Sequence, residues 1–151
     1  MTLQSLIKSI ETITTVDDLP AIKACVEKSY DWIRASFDTT AVNQLVTGRA
    51  QFVDALLCHL WELYGLDNNR DLALCAVGGY GRGHLQPYSD IDLLIVSKRP
   101  LKPEYQEKIG MFITLLWDIK LDVGQSVPTI TETVKLAKDD ISIETKHIGK
   151  R

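Results

Sequence analysis

Val77-Gly78-Gly79-Tyr80-Gly81-Arg82-Gly83-His84-Leu85-Gln86-Pro87-Tyr88-Ser89-Asp90-Ile91-Asp92-Leu93-Leu94 is the stretch on which the reading of this 151-residue chain turns. It joins two short apolar runs, residues 72–77 and 91–96, the second rich in β-branched residues and closed by Lys98 and Pro100. Bounded by turn residues on each side, both runs predict strands buried on most of their faces. The loop between them carries four glycines and a proline. Gly78 and Gly79 put no Cβ at the end of the first strand, so backbone N–H groups can approach an anion closely, as in other phosphate cradles. Asp90 and Asp92 stand at i and i+2 of the second strand, where side chains share a face, while Ile91 and Leu93 turn to the core.

Two carboxylates held so close repel each other unless a cation relieves them. Mg²⁺, a hard ion that takes oxygen ligands and shares its shell with substrate phosphates, is the expected partner. The bland alternative is a solvated turn, the usual fate of a lone Asp-x-Asp. Here the pair follows a Gly-Gly loop inside an apolar run, where unpaired acids are costly, and that favours the metal. Asp122 offers a third carboxylate, because Leu121-Asp122-Val123 alternates apolar, acidic, apolar on a strand expected over residues 120–127. If that strand pairs beside the second, the three acids meet as two-metal phosphoryl chemistry requires; otherwise Asp122 is a solvent-facing acid at a strand edge. Asp118 is the decoy, read as a helix-end residue. Arg82, inside the glycine loop, is read as a clamp on a phosphate oxygen in preference to a partner for a surface acid. The Ser89 hydroxyl is expected to cap or orient Asp90. His84 reads as a surface histidine, and Tyr80 and Tyr88 either border a nucleotide or pack on the domain itself.

Upstream of this stretch the pattern is helical. Leu3, Leu6, Ile7, Ile10 and Ile13 recur at helical spacing. Asp18 or Leu19 as cap with Pro20 in the first turn starts a second helix carrying Ile22, Cys25, Val26 and Ile33, fading near residues 38–40. A third, over residues 41–64, bears a stripe of Phe52, Val53, Leu56, Leu57, Leu60, Trp61 and Tyr64, with Gly65 placed to end it. Downstream, Pro103 opens a helix whose Tyr105, Ile109, Phe112, Ile113, Leu116 and Trp117 share a face. Thr129 and Glu132 have capping-box spacing, so a last helical region is expected from there. The expected fold is α+β: an N-terminal helical segment, residues 1–65, followed by a mixed-sheet core, residues 66–151, packed as one compact unit.

With 45% hydrophobic and 25% charged residues the composition is that of an ordinary soluble domain, and no apolar run approaches the roughly 20 residues of a membrane span. The first ten residues lack a signal-peptide pattern, which points to the cytoplasm. Cys25, Cys58 and Cys75 are widely separated among apolar neighbours and are read as three buried thiols. A net charge of −3 leaves no basic footprint, so a long nucleic acid is disfavoured as substrate.

On the Gly-Gly loop, the Asp-x-Asp pair and the later third acid, the sequence resembles the DNA polymerase β-like nucleotidyltransferase superfamily. Within it, residues 77–94 look most like the N-terminal domain of the bacterial PII uridylyltransferase/uridylyl-removing family, as do residues 49–61 and 115–128. The resemblance covers about the last two-thirds of the chain. It implies UMP transfer from UTP to a tyrosine hydroxyl of a PII-type signalling protein of nitrogen regulation, with release of pyrophosphate. It also implies that Gly78 and Gly79 bind phosphate and that Asp90, Asp92 and Asp122 hold the metal. Two positions depart: the family often has Glu where this chain has His84 and where it has Asp122. Members of the family continue into further helices, a hydrolase domain and glutamine-sensing domains that find no room in 151 residues, so the chain is expected to be a fragment or a reduced relative without those two activities. The rival readings are an adenylyltransferase acting on glutamine synthetase, which would use ATP, and a non-catalytic module that holds a nucleotide or a protein without turnover.

Overall fold

A computed structural model describes residues 2–76, 93–119, 129–131 and 146–148 of the chain. Four helices and four strands are formed there. Helix α1 (Leu3–Ser9) opens with a capping box between Thr2 and Ser5 and passes into a 3₁₀ turn, Ile10–Thr12. Helix α2 (Leu19–Ser36) starts as the sequence predicts: Asp18 is the cap, its carboxylate accepting from the Ala21 N–H at 3.3 Å, and Pro20 sits in the first turn. Helix α3 (Val42–Leu63) is flanked by Ala41 and Tyr64, and Gly65 follows with φ of 73°. A side chain at that left-handed position would be strained, which is why the chain reverses there on a glycine. A short 3₁₀ turn, Leu66–Asn68, then leads into strand β1 (Leu72–Ala76).

Strand β2 (Leu93–Ser97) pairs antiparallel with β1 from Leu72↔Ser97 to Ala76↔Leu93, and the Lys98 N–H extends the pairing to the Asp71 carbonyl at 2.9 Å. Helix α4 (Pro103–Asp118) follows, with proline in its first turn. Two short strands complete the sheet. β3 (Thr129–Thr131) lies parallel to β2, and β4 (Lys146–Ile148) antiparallel to β1, in the order β3-β2-β1-β4. The sheet is mixed and the fold is α+β.

Three expectations are corrected. Thr129 does not open a helix. Thr-Ile-Thr is β-branched throughout, and beside Leu94, Ile95 and Val96 it finds ladder partners that outweigh an isolated capping-box spacing. Trp117 is 52% exposed, and the buried face of α4 is carried by Ile109, Phe112, Leu115 and Leu116. Of the three cysteines, all free thiols, only Cys25 is buried, whereas Cys58 and Cys75 are half-buried. The strand expected over residues 120–127 lies outside the described residues.

One apolar core runs through the helices and the sheet. Leu6, Ile10 and Ile13 from the first segment meet Ile22, Cys25 and Val26 of α2, the α3 stripe, Leu72 and Leu74 of β1, Leu93 and Ile95 of β2, and the buried face of α4. Phe112 seats α4 on α3. Its ring stands edge-on to Trp61, with centroids 5.4 Å apart, and to Tyr64, 6.1 Å apart.

Candidate active site

The candidate site is framed by one edge of the sheet. β1 ends there at Ala76, paired with the first residue of β2, Leu93. β3 runs parallel to β2 and starts at the same edge, where Thr129 pairs with Leu94. β4 starts there too, with Lys146 opposite Ala76. One strand therefore arrives at this edge and three depart from it, and residues 77–92 are the covalent connection between two paired strand ends. Gly78, Gly79, Arg82, Ser89, Asp90, Asp92 and Asp122 all lie outside the described residues.

Asp92 is bonded to Leu93 and Asp90 stands three residues before it, Gly78 follows Ala76 by two, and Asp122 precedes Thr129 by seven. Seven residues span at most about 25 Å when fully extended. Leu93 and Ile95 are buried on one face of β2, while Leu94 on the other face is half-buried. Leu93 thus turns to the core as the strand reading requires.

Asp118, the decoy acid, ends α4 as an exposed residue. It lines a groove of about 620 Å³ together with Asp17, Glu107, Tyr64, Met111 and Gly110. Burial pushes the Tyr64 hydroxyl pKa up, and the negative charges of Asp17 and Asp118 push it further the same way. Closer to the sheet edge, the half-buried Cys75 of β1 has its thiol pKa raised by burial. Among the described residues no three His, Cys, Asp or Glu side chains gather where a metal ion could be held, and no helix is long and apolar enough to cross a membrane.

Buried polar residues escaped the sequence reading, among them Arg49 and Asp54 of α3. Arg49, on the core stripe of α3 one turn before Val53, is 2% exposed. The signal was present: a charged residue at helical spacing with Phe52, Val53 and Leu56 is out of place unless something answers it.

A family model described as a nucleotidyltransferase domain matches residues 58–148, a span that takes in the glycine loop, the Asp-x-Asp pair and Asp122. Among curated proteins, the bifunctional uridylyltransferase/uridylyl-removing enzyme of Pseudoalteromonas translucida is 40% identical over 139 residues, 92% of this chain and 16% of that protein. The protein of the same description from Vibrio cholerae is 46% identical over 109 residues, 72% of this chain and 12% of its own length. That from Vibrio atlanticus is 51% identical over 104 residues, 69% of this chain and again 12% of its own length. The chain spans between 12% and 16% of the length of these relatives. No solved structure matches it.

Proposed function

The chain belongs to the nucleotidyltransferase domain family, and on that premise we propose that it transfers UMP from UTP to a tyrosine hydroxyl of a PII-type signalling protein, releasing pyrophosphate. The observation that carries the reading is the joint one of family and frame. The family match spans residues 77–92, and those residues connect paired strand ends at the edge where β3 also begins. UTP as donor and the PII-type acceptor come from the relatives' description as uridylyltransferases and from the resemblance of residues 77–94.

In this reading Asp90, Asp92 and Asp122 form the metal-binding set. Three carboxylates are a hard oxygen donor set that suits Mg²⁺. When bound, the metal supplies positive charge that makes the attacking hydroxyl more acidic and stabilises the leaving pyrophosphate. The N–H groups at Gly78 and Gly79 receive the triphosphate, Arg82 binds one of its oxygens through charge-assisted hydrogen bonds, and Ser89 orients Asp90. The tyrosine oxygen forms a bond to the α-phosphorus as the bond to the bridging oxygen of pyrophosphate breaks. The hydroxyl proton passes to a carboxylate of the cluster.

Pyrophosphate release is the test, with UTP, Mg²⁺ and a PII-type protein. Asp90→Ala and Asp92→Ala should each abolish turnover, and rates equal to that of the unaltered chain would remove the catalytic reading. ATP bound tenfold more tightly than UTP would replace uridylyl by adenylyl transfer. Nucleotide binding that survives with no pyrophosphate formed by the unaltered chain would leave the binding module.

A further inference from the structure

Arg49 is the anomaly of the helical half. Its side chain is 2% exposed, and none of its Nε, Nη1 and Nη2 atoms has a hydrogen-bond partner among the described residues. A guanidinium carries five N–H donors in a rigid fork and does not deprotonate in proteins, so this is a permanent charge whose polar edge is unanswered among the described residues. The contact it does make is with an aromatic face: Cζ lies 5.4 Å from the centroid of the Tyr30 ring. A cation over an aromatic face is attracted to the ring, more so when desolvated. The cost of burying an uncompensated charge exceeds that attraction, so the ring alone does not balance it.

Helix α3 touches β4, and β4 pairs with Leu74, Cys75 and Ala76, the end of β1 from which residues 77–92 depart.

We propose that Arg49 is a buried oxyanion-binding residue whose guanidinium takes a phosphoryl group, from free phosphate or from the phosphate chain of a nucleotide, through bidentate hydrogen bonds. The socket rests on the burial and the missing partners alone. The choice of phosphoryl over carboxylate rests on the nucleotidyl-transfer reading. In a dry site such bonds are strong, and a planar fork matches two phosphate oxygens where an ammonium cannot.

The test uses the whole chain in EDTA, with thermal unfolding followed against inorganic phosphate and, as the control, sodium chloride of equal ionic strength. A ligand held only by the folded state raises Tm progressively with its concentration. The unaltered chain should show that rise. Arg49→Met should unfold at a higher temperature than the unaltered chain without phosphate, because it removes an unanswered charge at similar volume, and should lose the phosphate response. Arg49→Lys, which keeps the charge without the fork, should respond more weakly, and Asp90→Ala should respond in full. A parallel arm with UTP and with uridine, both without metal, separates the two sources: a rise with UTP but not uridine assigns the nucleotide chain, and a rise with phosphate alone assigns the free ion. No response in the unaltered chain, or an undiminished one in Arg49→Met, overturns the proposal. If Arg49→Met does not fold, an undiminished response in Arg49→Lys overturns it. A phosphate response that stands while UTP turnover is absent sinks the transfer reading and leaves the socket.

Discussion

Truncating Phe112 and truncating Trp117 should have very different consequences, although the two residues read alike in the sequence. Phe112 is 0% exposed and meets two rings edge-on, at 5.4 Å and 6.1 Å. Phe→Ala in a core costs about 3–5 kcal/mol, from lost transfer free energy and the cavity left behind. Two edge-on ring contacts put Phe112→Ala in the upper part of that range, near 4 kcal/mol. Trp117 is 52% exposed; its replacement by Ala creates no enclosed cavity and should cost less than about 1 kcal/mol. The expected gap of about 3 kcal/mol is a large share of the 5–15 kcal/mol that holds a domain of this kind together. Urea unfolding followed by far-UV circular dichroism measures it, with a fall in midpoint at constant slope marking a change in stability alone. Losses within about 1 kcal/mol of each other, or a larger loss at Trp117, would refute the packing argument. Should Phe112→Ala be too unstable to measure, Phe112→Leu should preserve the order with a smaller gap.

Two glycines offer a paired test of close approach between helices. A Cβ at Gly110 would meet nothing within 4 Å, so Gly110→Ala should stabilise α4 by about 0.5–1 kcal/mol through helix propensity. At Gly48 the same atom would come within 2.7 Å of the Trp32 indole and 3.2 Å of Leu3; overpacking of about 1–3 kcal/mol should cancel or exceed the propensity gain there. A rise in Tm for Gly48→Ala equal to that for Gly110→Ala would show that α2 and α3 are not so tightly apposed. The pH dependence has a definite sign. Burial raises the thiol pKa values of Cys75 and Cys25 above 9.0, with Ser9 and Lys28 partly offsetting it at Cys25. The folded state therefore favours the neutral thiols. Their contribution is intact below the ordinary thiol value and is lost as pH rises through the raised one, so the urea midpoint should fall as pH rises above the ordinary thiol value. Cys75→Ala should shallow that fall, and an unchanged slope would assign it elsewhere.

Much of the architecture is local in origin and is legible in the sequence. The caps at Asp18 and Gly65, the prolines opening α2 and α4, the α3 stripe and the two apolar runs on either side of the glycine loop depend on residues within a few positions of one another. Period, capping and turn chemistry act at that range and leave their marks in a short window. The proposal for the candidate site likewise rests on short-range spacing, that of Gly78-Gly79 and Asp90-x-Asp92, residues that lie outside the described ones.

What required the tertiary structure was everything decided by partners distant in the chain. Thr129–Thr131 is a strand because β2 offers a parallel edge to it, and β-branching alone does not decide that against the capping-box spacing of Thr129 and Glu132. Leu115 is buried and Trp117 exposed because Trp61 and Tyr64 of α3 set the angle at which α4 sits, and a helical stripe alone leaves its flanks undetermined. The order β3-β2-β1-β4, which brings the starts of three strands to the end of a fourth, is likewise a matter of pairing over long separations. Arg49 shows the division most plainly: its charge and its apolar neighbours stand in the sequence, but that nothing among the described residues hydrogen-bonds to it is a fact of three-dimensional packing.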